Sequence, residues 1–170
     1  MLTKFSANKL KDVLAEPEAP GLDEPYFIIQ SPLTKENMTV ILSGKNGMEF
    51  NKTYGFFHNF QGILIYKTLY GQGIMIIQKN DERGEAKEVR IISLRPGVEI
   101  EVPSGYGHTV VNTGKNFLVV VDNAIENDEN IDSDIVKSKK GFAYYVVDKK
   151  GEIAFEKNPN YSFHPQITSY

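Results

Sequence analysis

The 170-residue chain contains no cysteine, which excludes disulfides, thiolate nucleophiles and cysteine-ligated zinc or iron–sulfur centres. Histidine is scarce: only His58, His108 and His164 can offer an imidazole nitrogen to a metal. Net charge is small, −3 with acid and base interspersed, so there is no electrostatic footprint for nucleic acid or an anionic membrane. Apolar runs such as Phe117 to Val121 fall far short of the ~20 residues that a membrane span needs. The start, Met1-Leu-Thr-Lys-Phe-Ser, lacks the apolar stretch of a secretory signal. Together these absences predict a cytoplasmic protein with neither a nucleic-acid nor a membrane partner. What remains is 41% apolar and 24% charged, an ordinary globular composition. A chain of this length buries roughly 70% of its unfolded surface and can build one core unaided.

Residues 1 to 25 form a mixed lead-in. Lys9–Leu14 can hold one short helix, and Pro17, Pro20 and Pro25 stop anything longer. From Tyr26 onward, short β-branched and aromatic runs alternate with turn signals. They are Tyr26–Gln30, Met38–Leu42, Gly62–Tyr70, Ile74–Gln78, Lys87–Leu94, Glu99–Val102, His108–Asn112, Phe117–Val121 and Phe142–Val147. Gly-, Asn- and Pro-containing segments such as Ser43–Gly47 and Arg95-Pro96-Gly97 separate them. This spacing, without a long helical period, predicts an all-β sandwich or barrel. Glu126–Lys140 is the other helix candidate, read as a surface connection. The expected organisation is an N-terminal extension over 1–25 packed on a single barrel domain over 26–170, with a C-terminal strand and tail.

Gly97 to Asn112 reads G-x5-P-x-G-x2-H-x3-N on Gly97, Pro103, Gly105, His108 and Asn112. Every position matches the second signature of the cupin superfamily, which the segment therefore resembles. In such a strand–turn–strand unit the turn aims His108 into the mouth of a small β-barrel. The ordinary alternative is a hairpin with His108 satisfied in the core. The first cupin signature, H-x-H followed by a glutamate and a glycine, is degenerate. Anchored on Gly71, its glutamate position falls on Leu64 and its H-x-H on Phe56-Phe57-His58. His58 and His108 are then the metal-ligand candidates, an incomplete set. Gln61 is a neighbour but a poor ligand. Loss of the divalent metal is expected over retention of iron, nickel, manganese or zinc.

The flanking sequence resembles the small, archaeal-type cupin phosphoglucose isomerases over nearly the whole chain. Lys9-Leu-Lys-Asp-Val, Thr39–Gly44, Gly47–Gly55, Ile65-Tyr66, Gly71-Gln-Gly73 with Ile76–Gln78, Pro103–Asn112, Lys140–Phe142 and Asn158-Pro159 carry the likeness. The resemblance implies an RmlC-like jelly-roll barrel, a homodimer and a sugar-phosphate substrate. It places phosphate-binding positions at Thr39, Thr53 and Gly55, with Lys52 adding charge and Tyr26 nearby. Hydroxyls and exposed N–H groups can wrap phosphate oxygens without a cationic cage, although threonines at such positions also serve as ordinary strand residues. Ile131-Asp-Ser-Asp134 stands where the family offers a hydroxyl and an imidazole, so an acid there would repel phosphate. The catalytic candidates are His58 and His108, whose ordinary pKa suits base chemistry near neutrality, and Tyr66, which can orient a hydroxyl. Glu49 matches a family glutamate, but a surface or sheet-edge carboxylate is the expectation for it. Three readings stay open. One is a glucose-6-phosphate isomerase with altered ligands. Another is a metal-free module binding a sugar phosphate or similar anion. The last is a scaffold without a small-molecule role.

Overall fold

The computed structural model describes residues 1–59, 62–124 and 131–170. Its elements in chain order are β1 (Leu2–Phe5), α1 (Ala7–Leu10) running into a 3-10 turn at Lys11–Val13, β2 (Tyr26–Gln30), β3 (Asn37–Ile41), β4 (Lys45–Asn46) and β5 (Glu49–Phe50). Next come β6 (Phe56–His58), β7 (Leu64–Tyr70), β8 (Gly73–Asn80), β9 (Ala86–Leu94), β10 (Glu99–Val102), β11 (Tyr106–Asn112) and β12 (Leu118–Asp122). The chain ends with β13 (Ile131–Asp132), α2 (Asp134–Ser138), β14 (Tyr144–Lys149), β15 (Glu152–Lys157) and β16 (Ile167–Ser169). The architecture is all-β, as expected, and its two large sheets form the cupin barrel. One sheet runs β1-β2-β3-β12-β7-β10, the other β13-β6-β11-β8-β9-β16, and a smaller one β15-β14-β5-β4.

Two-residue alternation explains the first sheet. Leu118, Val120 and Asp122 of β12 are buried while Val119 and Val121 are half-exposed, so one face enters the core. In β11 every residue is buried. It lies between β6 and β8 in its sheet, and residues 51–53 pass over its end, with Thr53 N donating to Val110 O (2.9 Å) and Asn112 N to Asn51 O (2.8 Å).

The lead-in is more than a tail. β1 pairs antiparallel with β2, Leu2 opposite Ile29 and Phe5 opposite Tyr26. The helix expected over Lys9–Leu14 starts earlier, at Ala7, where the Ser6 side chain caps it. Of the second helix candidate, Glu126–Lys140, the structure shows a helix only at Asp134–Ser138, and 126–130 lie outside the described residues. Strands β15 and β16 escape the sequence reading because β15 is exposed or half-buried along its length and β16 holds only Ile167–Ser169. Among the described residues no helix is long and apolar enough to cross a membrane.

The motif glycine earns its place by geometry. Gly105 has φ +82°, a left-handed backbone that a β-carbon resists, and its N–H donates to His58 O at 2.8 Å. Asn112 closes the hairpin's far end, its Nδ2 donating to Ile41 O and Asn116 O (both 2.9 Å) and its Oδ1 accepting from Gly114 N (2.9 Å).

Candidate ligand-binding site

A cavity of about 360 Å³ opens between the two large sheets. The first sheet supplies Tyr26, Ile28, Asn37, Thr39, Tyr66, Val120 and Asp122. The second supplies Phe56, His108, Val110 and Ile131. Thr53, Tyr54 and Gly55 come from the segment before β6, and Thr3 and Lys9 from the N-terminal lead-in. Thr39, Thr53, Gly55, Tyr26, Tyr66 and His108, chosen from the sequence, therefore meet on one hollow. Its volume lies within the range of small-molecule sites.

His108 is the centre of the far wall. Its Nε2 lies 2.8 Å from Tyr66 Oη, and Phe56 packs edge-on against it with ring centroids 4.5 Å apart. His108 Nδ1 is buried without a hydrogen-bond partner among the described residues. Burial, then the neighbouring His58, pushes the His108 pKa down to about 3, because the charged imidazolium would lose its hydration. At neutral pH the ring is uncharged and a weak base. Burial also raises the Tyr66 phenol well above its ordinary value, so it stays protonated.

His58 is placed differently. It is fully buried and does not line the cavity. Its Nε2 faces Val102 O at 3.1 Å. A carbonyl only accepts, so this nitrogen carries the proton. Side chain and backbone together clamp β6 to the turn before His108. Burial lowers its pKa as well. The two imidazole centroids lie 6.3 Å apart, and both Nε2 atoms are engaged.

Among the described residues the donor set does not fit a metal. Phe56 and Leu64 occupy the positions of a histidine and the glutamate in the cupin signature, and Leu64 is buried in the apolar core. A divalent ion needs about four donors at close range. Among the described residues no group of three His, Asp or Glu side chains could hold one. Gln61 lies outside the described residues.

Of the phosphate-binding candidates, Thr39 lines the cavity and its hydroxyl makes no hydrogen bond among the described residues. Thr53 is more committed. Its Oγ1 accepts from Val110 N (3.0 Å) and lies 3.1 Å from Thr109 Oγ1, which itself donates to Thr53 O (2.8 Å). The Thr53 hydroxyl proton is thereby directed at Thr109. Gly55 has φ +83°, and a β-carbon there would meet Phe142 Cε2 at 2.5 Å and His108 O at 2.8 Å. The loop needs glycine for packing as well as for any ligand. Tyr26 Oη accepts from Tyr54 N at 3.1 Å, which ties β2 to this loop.

Lys52 is a correction. Expected beside the phosphate, it is buried outside the cavity, where its ammonium donates to Val13 O at 2.7 Å and pairs with Glu49. Glu49 is itself no surface carboxylate: it is buried and accepts from Ala15 N at 2.9 Å. Of the Ile131–Asp134 stretch, Ile131 and Ser133 line the cavity, while Asp132 accepts from Asp134 N (2.9 Å) and Ile135 N (3.3 Å) at the start of α2.

Thr3, Lys9, Asn37, Tyr54 and Asp122 also line the cavity and were not among the predicted site residues. Asn37 and Asp122 sit opposite each other on β3 and β12, one residue beyond the apolar runs that mark those strands in the sequence. Parity was the available signal, because both continue the inward-facing positions.

Known proteins resemble this chain along most of its length. Residues 23–164 match the family model "Glucose-6-phosphate isomerase (GPI)". The glucose-6-phosphate isomerase of Thermococcus gammatolerans is 35% identical over 152 residues, 85% of this chain and 75% of that protein. That of Pyrococcus furiosus is 32% identical over 157 residues, 87% of this chain and 77% of that protein. Among solved structures, a Bacillus subtilis oxalate decarboxylase is 18% identical with a TM-score of 0.44, over 62% of this chain and 25% of that one. With the family model spanning most of the residues that build the cavity, and relatives alike over more than four-fifths of the chain, the protein belongs to the glucose-6-phosphate isomerase family.

Proposed function

We propose that this chain binds a phosphorylated sugar in the cavity without a metal and without efficient isomerisation. One observation carries the reading: the polar groups suited to a sugar phosphate share a single hollow, while Phe56 and Leu64 stand where ligand and base are needed. Aldose–ketose isomerisation moves a proton between C1 and C2, or polarises the carbonyl for a hydride shift. An alkyl chain at the carboxylate position does neither, and losing the general base alone removes a factor of roughly 10²–10⁴. His108, held low by burial, is a poor substitute.

The test is a thermal-shift and calorimetric titration with glucose 6-phosphate and fructose 6-phosphate, with and without EDTA. A ligand at 100 times its Kd stabilises the native state by about 2.7 kcal/mol, a rise of roughly 5–10 °C for a domain of this size. The rise is expected to survive EDTA, to be lost in Thr39→Val and to be weakened less in Thr53→Val. Absence of any shift would refute binding. The second reading, isomerase activity, is favoured by the Tyr66–His108 hydrogen bond at the cavity wall, and a coupled assay of hexose-phosphate interconversion distinguishes it.

A homodimer is part of the same proposal. On the outer face of the first sheet, Leu2, Ile29, Met38 and Val121 align across strands, and Phe27, Val40, Val119 and Tyr70 form the adjacent row. Leu2, Ile29, Met38 and Tyr70 are exposed, an apolar face that a second copy would cover. Sedimentation is expected to show a dimer that Ile29→Lys with Met38→Lys converts to a monomer; a wild-type monomer would overturn it.

A further inference from the structure

We propose that the cavity takes its sugar phosphate in the closed pyranose form, with the Phe56 ring against a C–H face of the sugar, and discriminates against the open chain. The proposal deepens the sugar-phosphate reading and rests on it for the class of ligand.

Five aromatic rings line the cavity: Tyr26, Tyr54, Phe56, Tyr66 and His108. Four of them are nearly closed off, from His108 at 2% exposed to Tyr54 at 8%. The tyrosine hydroxyls have protein partners: Tyr66 Oη has His108 Nε2, Tyr26 Oη has Tyr54 N, and Tyr54 Oη has Asp12. Phe56 alone of the five is half-buried, so it has ring surface to offer. It lies opposite His108 across the β6–β11 pair. The two ring planes meet at 74°, an edge-to-face contact that engages at most one face of the phenyl ring. Ile28, Val110, Val120 and Ile131 extend the apolar wall.

Such a wall suits a pyranose better than an open chain. Ring closure gathers the hydroxyls at the rim of the sugar and leaves axial C–H bonds on its two faces. Their slightly positive hydrogens match the negative face of a phenyl ring. Ring opening creates a carbonyl and frees several torsions. The carbonyl needs a polar partner when buried, and the torsions must be frozen on binding. Phe56 carries no donor atom, Leu64 is fully buried outside the cavity lining, and Tyr66 Oη is already bonded to His108. Selecting the ring also withholds the form in which a proton can move between C1 and C2, in keeping with a site that lacks the carboxylate base.

Calorimetry on the full chain tests this with 1,5-anhydroglucitol 6-phosphate, which cannot open, and sorbitol 6-phosphate, which cannot close. The first is expected to bind at least about tenfold more tightly than the second, a difference of about 1.4 kcal/mol or more. Phe56→Leu keeps apolar bulk but removes the aromatic face, and is expected to lower that ratio by at least about threefold. A Phe56 that only packs on His108 would leave the ratio unmoved. A wild-type ratio below about tenfold, or a smaller fall in Phe56→Leu, overturns the proposal. Should Phe56→Leu fail to fold, saturation-transfer NMR on the wild type decides in its place. Transfer from aromatic protons that is strongest at the sugar-ring C–H positions supports the proposal, and transfer strongest elsewhere rejects it. Should neither phosphate bind, the sugar-phosphate reading itself fails. Ring selection is then judged by ligand-observed NMR with 1,5-anhydroglucitol and sorbitol. Binding of the cyclic compound alone supports it, and any other outcome rejects it.

Discussion

Replacing Lys52 with methionine is expected to destabilise the protein by about 3–5 kcal/mol while leaving the affinity for a sugar phosphate unchanged. The ammonium is buried between Glu49 and Val13 O and lies 5.1 Å from the centroid of the Tyr145 ring. Glu49 in turn receives Ala15 N. The pair therefore fastens the N-terminal turn to β5, and removing the cation leaves a buried carboxylate without its counter-charge. At roughly 2–4 °C per kcal/mol for a domain of this size, the melting temperature should fall by about 6–20 °C. The double variant Glu49→Gln with Lys52→Met should recover most of the loss, since replacing both partners of a buried pair costs far less than stranding one. Urea unfolding of the single and double variants measures the effect. A loss below about 1 kcal/mol in the single variant, or abolished ligand binding at a temperature where it remains folded, would show that the lysine works elsewhere.

The second large effect is acid sensitivity centred on His108. Its folded pKa of about 3 lies below the ordinary imidazole value of about 6.5. Between those values the unfolded chain takes up a proton that the folded chain refuses. The stability it allows is thus fully present above pH 6.5 and declines as pH falls toward 3, by about 1.4 kcal/mol per pH unit. From pH 7 to pH 5 the expected loss is about 2 kcal/mol from His108, with His58 adding in the same direction because burial lowers it too. His108→Gln removes the titrating ring and should flatten the profile. Denaturant midpoints at the two pH values decide the matter; an unaltered pH dependence in the variant would be incompatible with a buried, neutral His108.

Much of the barrel was legible because short alternating runs and turn residues report directly on half-buried strands. All nine of the expected runs overlap an observed strand, and Tyr26–Gln30 and Glu99–Val102 match theirs end to end. The cavity's Thr39, Tyr66 and His108 were legible from the family pattern and from strand parity. Lys52 and His58 were misplaced for a different reason. A lysine beside a candidate phosphate loop and a histidine in a ligand motif look functional in one dimension, yet their side chains turn to partners 39 and 44 residues distant in sequence. Asp122 and Asn37 were passed over because polar residues at the end of an apolar run read as the start of a turn.

Composition, periodicity and the Gly97–Asn112 motif by themselves determined a cysteine-free, single-core β-barrel with His108 on an inward strand and with a leucine in place of the carboxylate. These properties follow from residue chemistry and from the two-residue repeat of a strand, both of which are local. The tertiary structure alone decided which polar groups share a cavity and which are consumed by Val13 O, Glu49 and Val102 O. Those outcomes depend on sheet order and cross-strand register, which join residues tens of positions apart and determine burial, and burial determines charge.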